Sequence, residues 1–141
     1  MTRLRTLLFL VCVPGCQQAP RHATAVTPDP ESQRLTAALH VAKTQTDMNL
    51  ASKKISEFWD AKLASVEKRV EQKLDNEEQK RFSESKERWR NYRMQEVQFR
   101  SDFFTGGSIQ PLIANESYSQ ITEHRVAESE SILVEALGGR P

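Results

Sequence analysis

Cysteine, glycine and proline are all scarce where a folded domain would sit. Between Glu31 and Leu137 the chain has no cysteine, two glycines and one proline. Without thiols such a domain can form no disulfide, so its stability has to come from packing. Alternating apolar runs and Asn-Gly hairpin dipeptides are also missing, which removes the usual signals of a β-sheet. Only three histidines occur, His22, His40 and His124, and no His-Glu-x-x-His or paired Cys-x-x-Cys spacing offers ligands to a metal. No cofactor is expected. A basic excess is lacking as well, since 20 Lys and Arg stand against 19 Asp and Glu. That balance gives no footing for nucleic-acid binding, and charges of alternating sign suit solvated helix faces. Ser108 has no Gly-x-Ser-x-Gly elbow and no His-acid pair near it in sequence, so it reads as a helix cap rather than a nucleophile. The chain is expected to be non-enzymatic.

At the N-terminus, Arg3 and Arg5 precede an uncharged run from Thr6 to Val13, and Val13-Pro14-Gly15-Cys16 follows. This pattern predicts an export signal over residues 1–15. The run falls short of the roughly 20 apolar residues that a helix needs to cross a bilayer. A small residue before Cys16 also fits a lipobox, in which Cys16 becomes the lipid-bearing first residue and anchors the protein to a membrane. The alternative is ordinary signal cleavage, giving a soluble periplasmic or secreted protein. Gln17, where aspartate would favour inner-membrane retention, is compatible with an outer-membrane protein facing the periplasm. Residues 16–32 carry Pro20, Pro28 and Pro30 with few large apolar side chains, as a flexible tether would. Residues 33–138 then suffice for one small helical domain.

Within that domain the spacing predicts four helices. The first covers about Glu31 to Lys43, with Leu35, Ala38, Leu39 and Ala42 inward. Thr44 or Thr46 can cap a second, running to about Leu74 with Met48, Ala51, Ile55, Phe58, Trp59, Leu63, Val66 and Val70 on one face. Asp75-Asn76-Glu77-Glu78 can start a third, ending near Phe104. The fourth begins near Ile109 or Pro111 and reaches about Leu137, with Leu112, Ile113, Tyr118, Ile121, Arg125, Ile132 and Ala136 inward. The expected fold is all-α: an antiparallel helical bundle of three longer helices plus one short N-terminal helix. A monomer is favoured by the breaks near residues 44, 75 and 106, while the charged repeats leave a coiled-coil homodimer possible.

The third helix and the loop after it hold most of the aromatic residues. Phe82, Ser85, Trp89, Tyr92, Glu96, Phe99 and Phe103 fall at steps of three and four, predicting an aromatic face that packs inward. Gly106-Gly107 stops the helix, because glycine takes positive φ without penalty, and Pro111 can restart one. Phe103 and Phe104, adjacent at a helix end, cannot both point inward. One of them is free to line a contact.

Trp89-x-x-Tyr92-Arg93 followed by Gly106-Gly107-Ser108-x-x-Pro111 resembles the signature of the lysozyme-inhibitor LprI-like family of small exported helical proteins. Thr44 to Asn49, which includes Met48, is similar to that family's opening Thr-Gln-x-Glu-Met-Asn. Asp60 to Leu63 is similar to its Ala-Asp-x-x-Leu helix, and Ile121-Thr122-x-x-Arg125 to its closing Leu-Thr-x-x-Arg. The resemblance covers most of residues 39–133. Family members carry four domain cysteines, at positions that align here with Leu39, Ala51, Val97 and Ser117. What the resemblance implies is a binding protein whose partner is lysozyme or another peptidoglycan hydrolase. An immunity or assembly protein acting on a different envelope partner is the alternative, and a small envelope enzyme a more distant one. Phe103, Phe104, Thr105, Gly106, Gly107 and Ser108 are the candidate contact residues. Arg93 and Arg125 are expected to hold the loop between their helices. A second candidate surface is the acidic run Glu116, Glu123, Glu128, Glu130 and Glu135, opposed only by Arg125.

Overall fold

A computed structural model describes residues 29–135 and 137–139; Cys16, the export signal and most of the tether lie outside that range, as does Ala136. Four helices occur in order, α1 (Pro30–Val41), α2 (Gln45–Glu71), α3 (Asn76–Asp102) and α4 (Gln110–Glu135). There is no strand among the described residues. Helix α1 begins at Pro30, one residue before the expected Glu31.

The starts of α1, α2 and α3 are each fixed by a short polar side chain. Asp29 accepts from the Glu31 amide at 2.9 Å, with Pro30 just inside α1. Thr44 accepts from the Asp47 amide at 3.1 Å and donates its hydroxyl to the Asp47 carboxylate at 2.6 Å. Asp75 and Glu78 form a reciprocal capping box at 2.8 and 3.1 Å. Gln79 then donates to the carbonyls of Glu71 and Leu74, closing the end of α2 against the start of α3. That closure stops α2 at Glu71, short of the expected Leu74.

Neighbours in sequence run antiparallel. Asp29 meets Lys62 across α1 and α2, Glu71 meets Lys86 across α2 and α3, and Arg93 meets Thr122 across α3 and α4. Helices α2 and α4 are consequently parallel, and they share the most extensive contact in the molecule. Trp59, Leu63, Val66 and Val126 form the apolar core between them, with Ile55, Phe58, Trp89 and Leu133 packed against it.

The sealed positions of α4 are Ser117, Ser119, Thr122, Val126 and Ser129, and α2 contributes Ser52 and Ser56 to the same seam. Small side chains let the two backbones come close. Four of their hydroxyls are absorbed locally: Ser52 and Ser56 donate to carbonyls one turn back, as do Ser119 and Thr122, while the buried Ser129 hydroxyl has no partner among the described residues. The expected stripe of Leu112, Ile113, Tyr118, Ile121 and Arg125 flanks this seam half-buried, and Ile132 faces solvent.

Helix α3 departs furthest from expectation. Its buried positions are Arg93, Val97 and Ser101, so the inward stripe is rotated roughly a third of a turn from the aromatic one. Trp89 and Phe82 are half-buried, while Tyr92, Phe99 and Phe103 face solvent. The physical reason is that Arg93 finds Asp60, Thr122 and the faces of Trp89 and Tyr118 inside, whereas Tyr92, Phe99 and Phe103 lie on the outer side of the helix.

Candidate functional site

Two arrangements in this bundle carry polar or aromatic groups that a simple packing pattern does not require. The first is internal. The Arg93 guanidinium, in a residue only 6% exposed, donates to Asp60 of α2 and to the Thr122 hydroxyl of α4, both at 2.9 Å. It also stacks on two rings, its carbon 3.9 Å from the Tyr118 centroid and 4.7 Å from that of Trp89. The Tyr118 hydroxyl donates to the other oxygen of Asp60 at 2.8 Å. Arg125 lies 5.7 Å from the Trp89 ring on its own side and reaches Glu128 at 3.3 Å. One charge thus ties three helices together.

Asp60, Trp89, Arg93, Thr122 and Arg125, which the sequence motifs single out separately, therefore converge on one cluster, with Leu63 sealed in the adjoining core. Tyr92 does not join it. Arg93 fastens helix to helix, whereas the expectation was that it braces the loop.

Burial pushes the Tyr118 hydroxyl up to about 12, helped by its bond to the Asp60 carboxylate. A folded-state value above the unfolded 10 means that the native state holds the proton more tightly. The associated stability is present below pH 10 and is lost as pH rises towards 12. The melting temperature should fall over that window. Tyr118→Phe should melt lower at neutral pH and lose this part of the alkaline fall, which parallel melts of the two proteins would read.

The second arrangement is the end of α3. Phe99 and Phe103 form an edge-to-face pair at 5.3 Å, yet they are 62% and 74% exposed. Phe104 beside them is also open, as are Thr105, Gly106, Gly107 and Ser108. Met94, Gln95, Gln98, Phe99 and Asp102 line a shallow groove running back along the helix from this pair.

The loop is well defined despite its exposure. Gly106 takes φ +79°, the one positive φ among the described residues. At Gly107 the constraint is one of space: a Cβ there would make a tight 3.1 Å approach to the Phe104 carbonyl, which the Gly107 amide bonds at 2.9 Å. The paired glycines were both expected to supply positive φ, and only one does. From α2, Asn49 donates to the Ser108 carbonyl at 3.0 Å, and Asn115 of α4 donates to Ser52 at 3.0 Å and to the Asn49 carbonyl at 3.4 Å. Ser108 thus engages through its carbonyl, and no cap by its hydroxyl forms among the described residues. Pro111 sits in the first turn of α4 as expected. Asn49 lies within the Thr44–Asn49 motif, but its role as the loop's anchor has no signature in the sequence.

The acidic run of α4 is partly neutralised by the fold. Glu128 pairs with Arg125 and Glu130 with Arg69 at 2.7 Å, and Glu135 accepts from Ser131.

Against known families, residues 36–128 match the family described as Lysozyme inhibitor LprI, about two thirds of the chain. The chain belongs to the LprI lysozyme-inhibitor family. The matched span runs from α1 into the second half of α4, so it includes the Arg93 cluster and the glycine loop of this LprI protein. No curated protein and no solved structure matches it. No helix among the described residues is long and apolar enough to cross a membrane.

Proposed function

We propose that this LprI protein is a non-enzymatic, exported binding protein that docks on a lysozyme-type peptidoglycan hydrolase and blocks its glycan cleft. The carrying observation is the uncovered Phe99–Phe103 pair beside a loop pinned to α2. Aromatic side chains held rigidly at a protruding end bury large area at small entropic cost, which is what interface anchors do. Thr105 to Ser108 adds a backbone surface that a partner can approach closely, because no side chain at Gly106 or Gly107 stands in the way. Hydrolases of this class work with two carboxylates flanking the scissile bond, so a ring and a loop filling the cleft suffice to exclude substrate. A lipid on Cys16 would hold the inhibitor at the outer membrane, and the mass of the mature N-terminus reads that part separately.

Phe103→Asp is expected to leave melting unchanged, because the ring is mostly in solvent. Inhibition of lysozyme should weaken about 30-fold or more, the loss that removing an interface anchor brings. If Phe99→Asp and Phe103→Asp both inhibit as the parent does, α3 is not the docking element. If the parent itself inhibits none of a panel of purified lysozymes, the hydrolase reading fails.

A further inference from the structure

We propose that the outer face of α3 pairs with the same face of a second copy of this chain, the two helices running antiparallel, and that this pairing competes with hydrolase docking. The competition rests on the hydrolase reading; the pairing does not.

The face has the pattern of a coiled-coil seam. Arg88, Tyr92, Gln95, Phe99 and Asp102 recur at steps of four, three, four and three, on the side of α3 turned away from the sealed Arg93, Val97 and Ser101. All five are exposed. The shallow groove on this side has a matching form. Gln95, Gln98, Phe99 and Asp102, which line it beside Met94, stand at i, i+3, i+4 and i+7. Four residues so placed are the hole that receives a side chain when two helices pack knobs into holes, so the groove is shaped for a helix. Its surroundings supply the area. Tyr92, Met94, Phe99 and Phe103 each keep more than half of their surface in water, on the order of 100 Å² apiece for side chains of this size. With Arg88, Gln95 and Asp102 between them, the face comes near the roughly 800 Å² per partner of a standard interface.

Charge selects the occupant and its direction. The seam is basic at one end, at Arg88, and acidic at the other, at Asp102. A parallel copy would set like charge against like, whereas an antiparallel copy sets each Arg88 against an Asp102. With the two-fold axis near residues 93 and 94, Arg88 of each copy lies across from Phe99 of the other and enters its groove. The guanidinium then rests on that ring and beside the Asp102 carboxylate, while Tyr92 faces Gln95. One patch meets itself, as a two-fold interface requires. Arg88 now bonds only Glu84 of its own helix, at 3.0 Å in open solvent, and such a surface pair holds it weakly. Phe99 and Phe103 lie in or beside the seam, so a paired copy hides the rings assigned to the hydrolase.

Sedimentation of the full chain should give the mass of two chains at high concentration, falling towards one on dilution. Arg88→Glu and Asp102→Lys should each weaken pairing about tenfold or more, and the two together should restore it, because the reversed charges again meet across the axis. A single-chain mass even at millimolar concentration overturns the proposal, as does a mass above two chains, pairing unaffected by either reversal, or no recovery in the double variant. Circular dichroism checks that each variant keeps its helices. At concentrations where the parent is paired, Arg88→Glu should inhibit lysozyme more strongly per chain, and equal inhibition would overturn the competition. If neither protein inhibits, the hydrolase reading fails, and the masses still decide the pairing.

Discussion

Asp60→Ala is expected to lower the stability of the bundle by about 3 to 5 kcal/mol, because it strands a buried cation. The Arg93 side chain has almost no contact with water, and its Nε already lacks a partner, so no spare acceptor waits to replace the carboxylate. What remains is the Thr122 hydroxyl and two ring faces, and Tyr118 loses its acceptor in the same step. For a domain of this size the loss corresponds to a Tm drop of roughly 12 °C or more. The converse change should cost less. Asp60 keeps half of its side-chain surface in water, so Arg93→Met leaves a solvated acid and an unbranched apolar chain between Trp89 and Tyr118. Denaturant titrations of both variants decide the point. Equal losses would contradict a buried cation held by an exposed counter-ion.

Adding one cross-link should act in the opposite direction by a similar amount. The antiparallel register set by Arg93 with Thr122 and by Trp89 with Arg125 brings Val97 of α3 level with Ser117 of α4. Both are sealed positions, and both are places where the spacing of the sequence motifs leads one to expect a cysteine in the family. Val97→Cys combined with Ser117→Cys is expected to close a disulfide on oxidation and raise stability by about 3 kcal/mol, the figure for a loop of this length. Comparing oxidised with reduced protein isolates the bond from the two substitutions. Failure to oxidise, or oxidation with loss of stability, would show that the register or the spacing between α3 and α4 is wrong.

How much of this was readable from the residues differs from helix to helix. Helix α2 was legible because Trp59, Leu63, Val66 and Val70 are apolar and recur at helical steps, so pattern and burial coincide. The caps were legible because Thr44 and Asp75 act on amides three residues away, within reach of purely local reasoning. Helix α3 was not, since its inward face is written in Arg93, Lys86 and Ser101, residues that resemble an outward face until their partners on other helices are known. The Phe99 and Phe103 rings drew the expected core towards themselves for the same reason. The motif residues Asp60, Trp89, Arg93, Thr122 and Arg125 could be picked out one by one. Their meeting could not, because it depends on the mutual rotation of three helices. Asn49 and Asn115 are harder still, as an amide binding a distant carbonyl has no periodicity at all.

The seam between α2 and α4 carries a consequence for how such a molecule can recognise anything. Ser52, Ser56, Ser117, Ser119, Thr122 and Ser129 line it, and Thr122 has no exposed surface. Short side chains fill it, four of those hydroxyls fold back onto their own backbones, and the groove along α3 lies on the outside. A guest cannot be swallowed by such a body. It has to be met from outside, so every gain in affinity must come from crests and shallow furrows on the exterior, and evolution can reshape those without disturbing the shared interior.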